Sequence, residues 1–312
     1  MRIAIELPTW LGDCIMTTPA VMNIVKELNY PEVIFIGNEI ALSVYLEFPN
    51  VYKNIQLEKT LFDLYKTSKK AGKVEYFVSF RSSQRSLILK TLINSKNKFQ
   101  YNKYKYSFGH QVEKYNNFVK DIFQSARDPG KLEIFNKIST NNYKKKTIGI
   151  NPGASYGDAK RWYPEKFAEV AVYFSKSYDI LILGGQKEIN IADEIEQIIL
   201  MKKVKNCINL AGKTSINDLY SAIASVSLFV TGDSGPMHIA AALNIPTITI
   251  FGPTKNEETC QWKNKQSVNI KLNLPCQPCM KRTCPLVHHD CMRKIEPEIV
   301  IDAAERVLGH LK

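Results

Sequence analysis

The stretch TGDSGPMHIAAAL (231–243) carries a hydrophobic run into a Gly-Asp-Ser-Gly turn and on into an apolar helical pattern. Pro236 suits a first helical position, where a missing N–H costs nothing. The amides around Ser234, Gly235 and Met237 would then point at an anion, as helix starts do when they hold phosphate. The spacing is not GxGxxG, which argues against a dinucleotide oxidoreductase. His238 reads either as a further ligand contact or as a histidine packed beside Ile239 and Ala242.

A second loop, NPGASYGDAKRWYPEKF (151–167), offers the hydroxyl of Ser155 and then Lys160 and Arg161. Hydroxyl and ammonium donors at a strand end suit a diphosphate leaving group. A solvent-exposed Lys-Arg pair is the plainer reading, and it weakens because two phosphate-type loops fall on adjacent strands of one sheet. The third loop, PTWLGDCIMTTP (8–19), sets Asp13 where a helix begins. A carboxylate held ionised there could be a general base for a sugar hydroxyl, or simply the helix N-cap, which the residues alone favour. Pro19 either kinks that helix or restarts it behind Thr17 or Thr18.

Cys276, Cys279, Cys284 and Cys291, with His288 and His289 nearby, could bind zinc or an iron–sulfur cluster. Their later spacings fit no standard finger or ribbon, so a thiol-bearing structural loop is preferred and no metal ligand is assigned.

These loops need strands to hang on. RIAIEL, VIFIGN (33–38) and EYFVSF (75–80) read as buried strands in the first half, separated by helix-length segments. TIGINPG (147–153), DILILGG (179–185), SLFVTGD (227–233) and PTITIFG (246–252) do so in the second. Strands alternating with helices imply parallel sheets. Between them, 124–146 loses periodicity and gathers Pro, Gly, Asn and Lys, as a linker would. The helix following Pro164 shows Phe167, Val170, Ala171 and Phe174 on one face. A closing helix shows Val300, Ala303, Ala304, Val307 and Leu311. The expected organisation is an α/β protein of two Rossmann-like domains, 1–140 and 147–295, followed by a helix over 296–312.

The chain has 312 residues, room for two cores, and a net charge of +12 that favours an acidic partner. No helix-turn-helix, RNP or finger pattern supports nucleic acid. No apolar run reaches the roughly 18 residues of a membrane span, and the N-terminus lacks a signal-peptide pattern, so a cytoplasmic protein is expected. From Arg81 to Gln111 there are seven Lys and Arg and no acid, with Tyr101, Tyr104 and Tyr106 interleaved. That stretch is expected to dock an anionic surface, with Lys98, Lys103 and Lys105 the cations to test.

WLGDCIMTTPA, NPGASYGDAKRW, LAGKTSINDL, TGDSGPMHIAAAL with IFGPT, and CQPCMKRTCP occur in the order found in family 9 glycosyltransferases, which the chain resembles over nearly its whole length. The resemblance implies a B-type glycosyltransferase fold, two domains facing a cleft. It implies an inverting, metal-independent transfer of heptose from ADP-L-glycero-D-manno-heptose, the donor being substrate and no cofactor being needed. The acceptor it implies is the heptose/Kdo inner core of lipopolysaccharide, an anionic glycolipid at the inner face of the cytoplasmic membrane. By the same resemblance Asp13 is the catalytic base and Lys160 the diphosphate lysine, with Ser155 touching the donor. Asp233, Ser234 and Gly235 would meet the donor sugar and diphosphate, and Glu188 the donor ribose. A sister enzyme with another acceptor or nucleotide sugar, and a non-catalytic sugar-nucleotide-binding protein, are the alternative readings.

Overall fold

The computed structural model of the protein describes residues 1–58, 60–140, 146–153 and 156–309. The chain divides into two compact units, Met1–Lys137 and Ile138–Lys312.

The first unit opens with β1 (Arg2–Glu6), α1 (Leu11–Met16), α2 (Thr18–Glu27), β2 (Glu32–Gly37), α3 (Glu39–Ser43) and β3 (Val51–Gln56). It continues with α4 (Leu61–Ala71), β4 (Lys73–Ser79), α5 (Gln84–Leu92), β5 (Asn94–Gln100) and α6 (Gln111–Phe123). The strands form one sheet in the order β3-β2-β1-β4-β5, every pair parallel. Ile3, Ala4 and Ile5 of β1 are fully buried, as a strand covered on both faces must be. Leu64 and Ala71 of α4 and Leu89 of α5 pack with Ala4, Ile34, Ile36 and Phe77. α2 and α6 pack on each other, joined by Asn23 Nδ2 donating to Asn116 Oδ1 at 2.8 Å. Pro19 restarts rather than kinks the helix: α2 has Thr17 as its N-cap and the proline in its first turn.

Part of the stretch read as a linker belongs to this unit. Leu132 is buried, Phe135 meets Phe48 edge-on at 4.7 Å, and the Phe135 amide donates to Val44 O at 2.8 Å. Two apolar residues, too few to show a period, dock the segment together with hydrogen bonds such as that from the Glu133 amide to Thr18 Oγ1 at 3.0 Å.

The second unit runs β6 (Thr147–Asn151), α7 (Pro164–Phe174), β7 (Asp179–Ile182), α8 (Ile189–Met201), β8 (Cys207–Asn209), α9 (Ile216–Ala224) and β9 (Leu228–Gly232). Then come α10 (Gly235–Ala242), β10 (Thr247–Ile250), α11 (Asn256–Thr259), β11 (Ser267–Ile270), α12 (Asp290–Arg293) and α13 (Pro297–Gly309). Its sheet is also all parallel, in the order β11-β10-β9-β6-β7-β8. Phe167, Val170, Ala171 and Phe174 of α7 are buried in its core, as are Val300, Ala303 and Ala304 of α13. α13 packs on α7, β10 and β11 and so is part of this unit rather than an appendage. Leu311 lies outside the described residues.

Candidate active site

Each sheet reverses its strand order once, between β1 and β4 in the first unit and between β6 and β9 in the second. In an open parallel sheet the crevice at the carboxyl ends of the strands flanking such a reversal is where ligands bind. The three loops singled out from sequence follow β1, β6 and β9, so all lie at these two points.

In the first unit Asp13 sits in the first turn of α1, half-buried. It is not the N-cap: Trp10 holds that position in extended conformation, with no side-chain cap bond. Tyr115 Oη of α6 donates to Asp13 Oδ1 over a long 3.4 Å. Burial, with the Asp13 charge beside it, pushes the Tyr115 hydroxyl well above its ordinary pKa, so it stays a donor. Cys14, fully buried with Sγ 2.9 Å from Pro8 O, is likewise pushed up by burial and by Asp13.

Beneath the loop lies a polar hub that sequence reading missed. Glu6, at the end of β1, is fully buried and accepts from Ser79 Oγ at 2.6 Å, Ser86 Oγ at 2.9 Å and Arg81 Nη1 at 3.4 Å. Burial raises the Glu6 pKa, against the opposing pull of Ser79, Arg81 and Ser86. An acid ending the hydrophobic run RIAIEL was the available signal.

In the second unit Lys160 Nζ lies 2.6 Å from Asp233 Oδ2, and Thr254 Oγ1 donates to the same oxygen at 2.6 Å. The pair is nearly closed off, the side chains 12% and 6% exposed. Lys160 is therefore not a free cation but one already neutralised by the neighbouring loop, with the Tyr156 ring 4.7 Å beneath it. Ser234 Oγ turns to Asn151 Oδ1 at 3.3 Å instead of capping α10. The Met237 amide donates to Ser234 O, which removes it from the amides read as anion donors and leaves those of Ser234 and Gly235. Ser234, Gly235 and Pro236 keep some exposure, whereas Met237 and His238 are buried, so for His238 the packed reading describes the side chain better. Ser155 lies outside the described residues.

Glu188 ends a short 3-10 turn after β7, 93% buried in the sense that only 7% of it is exposed. Its Oε2 accepts from the Gly185 amide at 2.9 Å, while Oε1 is buried without a hydrogen-bond partner. It leans on Gly153, where an added Cβ would fall 2.2 Å from Glu188 Cγ. Gly153 in turn neighbours Gly232. Lys160, Asp233, Ser234 and Glu188 thus gather at one strand-end crevice, with Asn151 and Thr254 as members not named from sequence, though both fall inside the quoted motifs.

The cysteine loop clasps the Lys160 turn. Tyr156 Oη donates to Met280 O at 2.8 Å, the Ala159 amide to Arg282 O at 3.0 Å, and Thr283 Oγ1 to Asp158 Oδ1 at 3.1 Å. A Cβ on Gly157 would strike Arg282 O, so only glycine lets the two segments lie this close. Burial, then Cys279, Cys284 and Cys276, push the Cys291 thiol up to about 11. Among the described residues no three His, Cys, Asp or Glu are arranged to hold a metal ion.

The basic stretch is largely spoken for. Arg81 meets Glu6, Lys98 Nζ donates to Thr91 O, and Lys105 pairs with Asp121 at 2.7 Å. Tyr101 is buried with Tyr106 stacked on it at 5.7 Å, so of the three tyrosines only Tyr104 stands out, 81% exposed. The expected row of aromatic faces between lysines is not there: the helix-packing demands of α6 took two of the rings.

Two parallel α/β units, each with polar loops at its strand reversal, define the B-type glycosyltransferase fold. The chain belongs to glycosyltransferase family 9 (heptosyltransferase), whose profile matches residues 90–289, and it is a glycosyltransferase. It is 40% identical to lipooligosaccharide heptosyltransferase 2 of Campylobacter jejuni, over 99% of this chain and 98% of that protein. The structure of Escherichia coli ADP-heptose lipopolysaccharide heptosyltransferase II superposes with a TM-score of 0.83, at 20% identity, over 99% of both chains. A family 9 glycosyltransferase from Veillonella parvula superposes at 0.85, with 20% identity, over 99% of this chain and 97% of that one.

Proposed function

We propose that the protein moves heptose from ADP-L-glycero-D-manno-heptose to the heptose/Kdo inner core of lipopolysaccharide or lipooligosaccharide, with inversion. The full-length likeness to a heptosyltransferase 2 carries this reading. The residues gathered at the two reversals give it a chemistry.

Asp13 takes the proton from the attacking acceptor hydroxyl, as a carboxylate base must while the new glycosidic bond forms. The diphosphate leaves onto Lys160 and the amides of Ser234 and Gly235, whose fixed charge and dipoles are aimed where negative charge develops. Asp233 holds Lys160 in place through their 2.6 Å contact, and meets a hydroxyl of the donor sugar. Glu188 receives the ribose hydroxyls on its second carboxylate oxygen. Hydrogen bonds from a lysine and two helix-start amides meet the leaving diphosphate in place of a metal, so transfer should persist in excess chelator. The acceptor is anionic and lipid-borne, which brings the enzyme to a membrane surface.

Incubating the purified protein with ADP-heptose and with truncated lipopolysaccharide acceptors, and weighing the products, tests the reading. One added heptose on the acceptor that already bears heptose supports it. Addition only to another acceptor, or only from another nucleotide sugar, assigns a sister activity instead.

A further inference from the structure

α4 and α5 lie side by side over one face of the first sheet and leave a surface that the transfer chemistry does not use. Their inner sides bury Leu64, Ala71, Ser86 and Leu89. Their outer sides carry Leu61, Phe62 and Tyr65 on α4 and Leu87, Ile88 and Leu92 on α5, each between 40% and 65% exposed. Large apolar side chains grouped in this way on two contacting helices mark an interaction surface rather than scattered exposure.

The charges around them select the partner. Lys66, Lys69 and Lys70 are exposed on α4, with Lys66 Nζ 4.6 Å over the Phe62 ring and Lys69 Nζ 5.3 Å over the Tyr65 ring. α5 (QRSLILKTL) has Arg85 and Lys90 and no acid. The single acid of α4, Asp63, is turned inward to its own helix start, where Thr60 holds it below the usual carboxylate range. Arg85 donates to the carbonyls of Glu58 and Thr60, which fastens the start of α5 to the start of α4 and makes the two helices one platform. Lysine is depleted at the cores of protein–protein interfaces. Lysine stems lying along aromatic faces with their ammonium groups beyond them are suited to the boundary between acyl chains and anionic headgroups.

We propose that the α4–α5 face docks the protein on an anionic lipid bilayer surface, with Phe62 and Leu87 at headgroup depth and Lys66, Lys69 and Lys70 against lipid phosphates. This deepens and rests on the lipid-borne-acceptor reading above, and shifts the membrane contact within the expected Arg81–Gln111 stretch from Lys98–Lys105 to α5, joined by α4.

The full-length protein is sedimented with vesicles of phosphatidylcholine alone and of phosphatidylcholine mixed with phosphatidylglycerol. Wild type should bind the anionic vesicles and not the neutral ones. Lys66→Gln, Lys69→Gln and Lys70→Gln together, and separately Phe62→Ser with Leu87→Ser, should each weaken that binding about tenfold or more. ADP affinity and transfer to a lipid-free soluble acceptor should stay unchanged. Wild type that ignores anionic vesicles, or both variants binding them as wild type does, overturns the proposal. So does a Phe62/Leu87 variant that only converts a dimer to monomers by light scattering, since the face would then be a self-association surface. Failure of heptose transfer to the soluble acceptor would sink the functional reading instead and leave the vesicle result standing.

Discussion

The two strand reversals solve opposite problems with similar parts. At each, a carboxylate near the strand end meets a basic side chain: Glu6 with Arg81 in the first unit, Asp233 with Lys160 in the second. In the first unit the acid is wholly buried, its cation is the more exposed partner, and two serines share the load. That hub lies behind the loop and leaves Asp13 as the half-exposed acid. In the second unit acid and cation are both nearly enclosed, and the surface that remains is backbone and small side chains around Ser234 and Gly235. The contrast separates a place suited to moving a proton from a place suited to holding a dianion.

If that division holds, Asp13→Asn should lower turnover by roughly 10² or more while ADP affinity changes only a few-fold. Isothermal calorimetry beside a transfer assay reads both, and near-normal turnover would remove Asp13 from proton transfer. Lys160→Ala should weaken ADP by about 1.5–3 kcal/mol, the range for a charge-assisted hydrogen bond. It also strands a buried Asp233, so the variant should melt early and Asp233→Asn on the same background should restore part of the lost stability. Unchanged ADP affinity in the single variant would break the comparison at its second half.

Smaller effects sharpen it. Gly153→Ala forces Glu188 off its seat and should cost about 1–3 kcal/mol of stability, with weaker ADP binding, both read by melting with and without ADP. An unaltered melt would mean that the Glu188 side chain swings away freely. The smallest effect concerns Glu6. Burial raises its pKa, so its contribution to stability is full below the unfolded carboxylate value and is lost as pH rises through the folded one. Glu6→Gln has no such proton to lose and should gain on wild type as pH rises from the ordinary carboxylate range through the raised folded value, in urea unfolding. A difference that stays flat with pH would show Arg81 and the serines offsetting burial in full.

Strands inside the sheets were legible and those at the rims were not. β1, β2, β4, β6, β7, β9 and β10 are covered on both faces and read as short apolar runs. The four that escaped, β3, β5, β8 and β11, are the four sheet edges. VYKNIQ and NSKNKFQ have their polar residues partly or fully in solvent, so the composition there reports the rim and not the pairing. The site shows the same divide. Lys160 and Asp233 were each found in a motif, but their pairing spans 73 residues and depends on β6 and β9 being neighbours, which no local pattern encodes. For Asp13 only the cap reading fails, because an Asp near a helix start reads as a cap until Trp10 is seen to hold that place. The cysteine loop was visible as a motif, yet its grip on the Lys160 turn runs mostly through carbonyl oxygens of Met280 and Arg282, which any residue could supply.

The position of β1 in its sheet carries a consequence for synthesis. Within the first unit the earliest strand in sequence is the central one, and its second neighbour, β4, ends only at Ser79. β6 is likewise flanked by β7 and by the much later β9, which ends at Gly232. Each sheet therefore begins with an internal, largely buried strand left exposed along one edge for tens of residues of elongation. Long-range parallel pairing is slow to form and such edges invite aggregation. A nascent chain stalled shortly before Ser79 should accordingly be protease-sensitive and chaperone-bound, and one stalled well past Phe123, with α6 complete, should not.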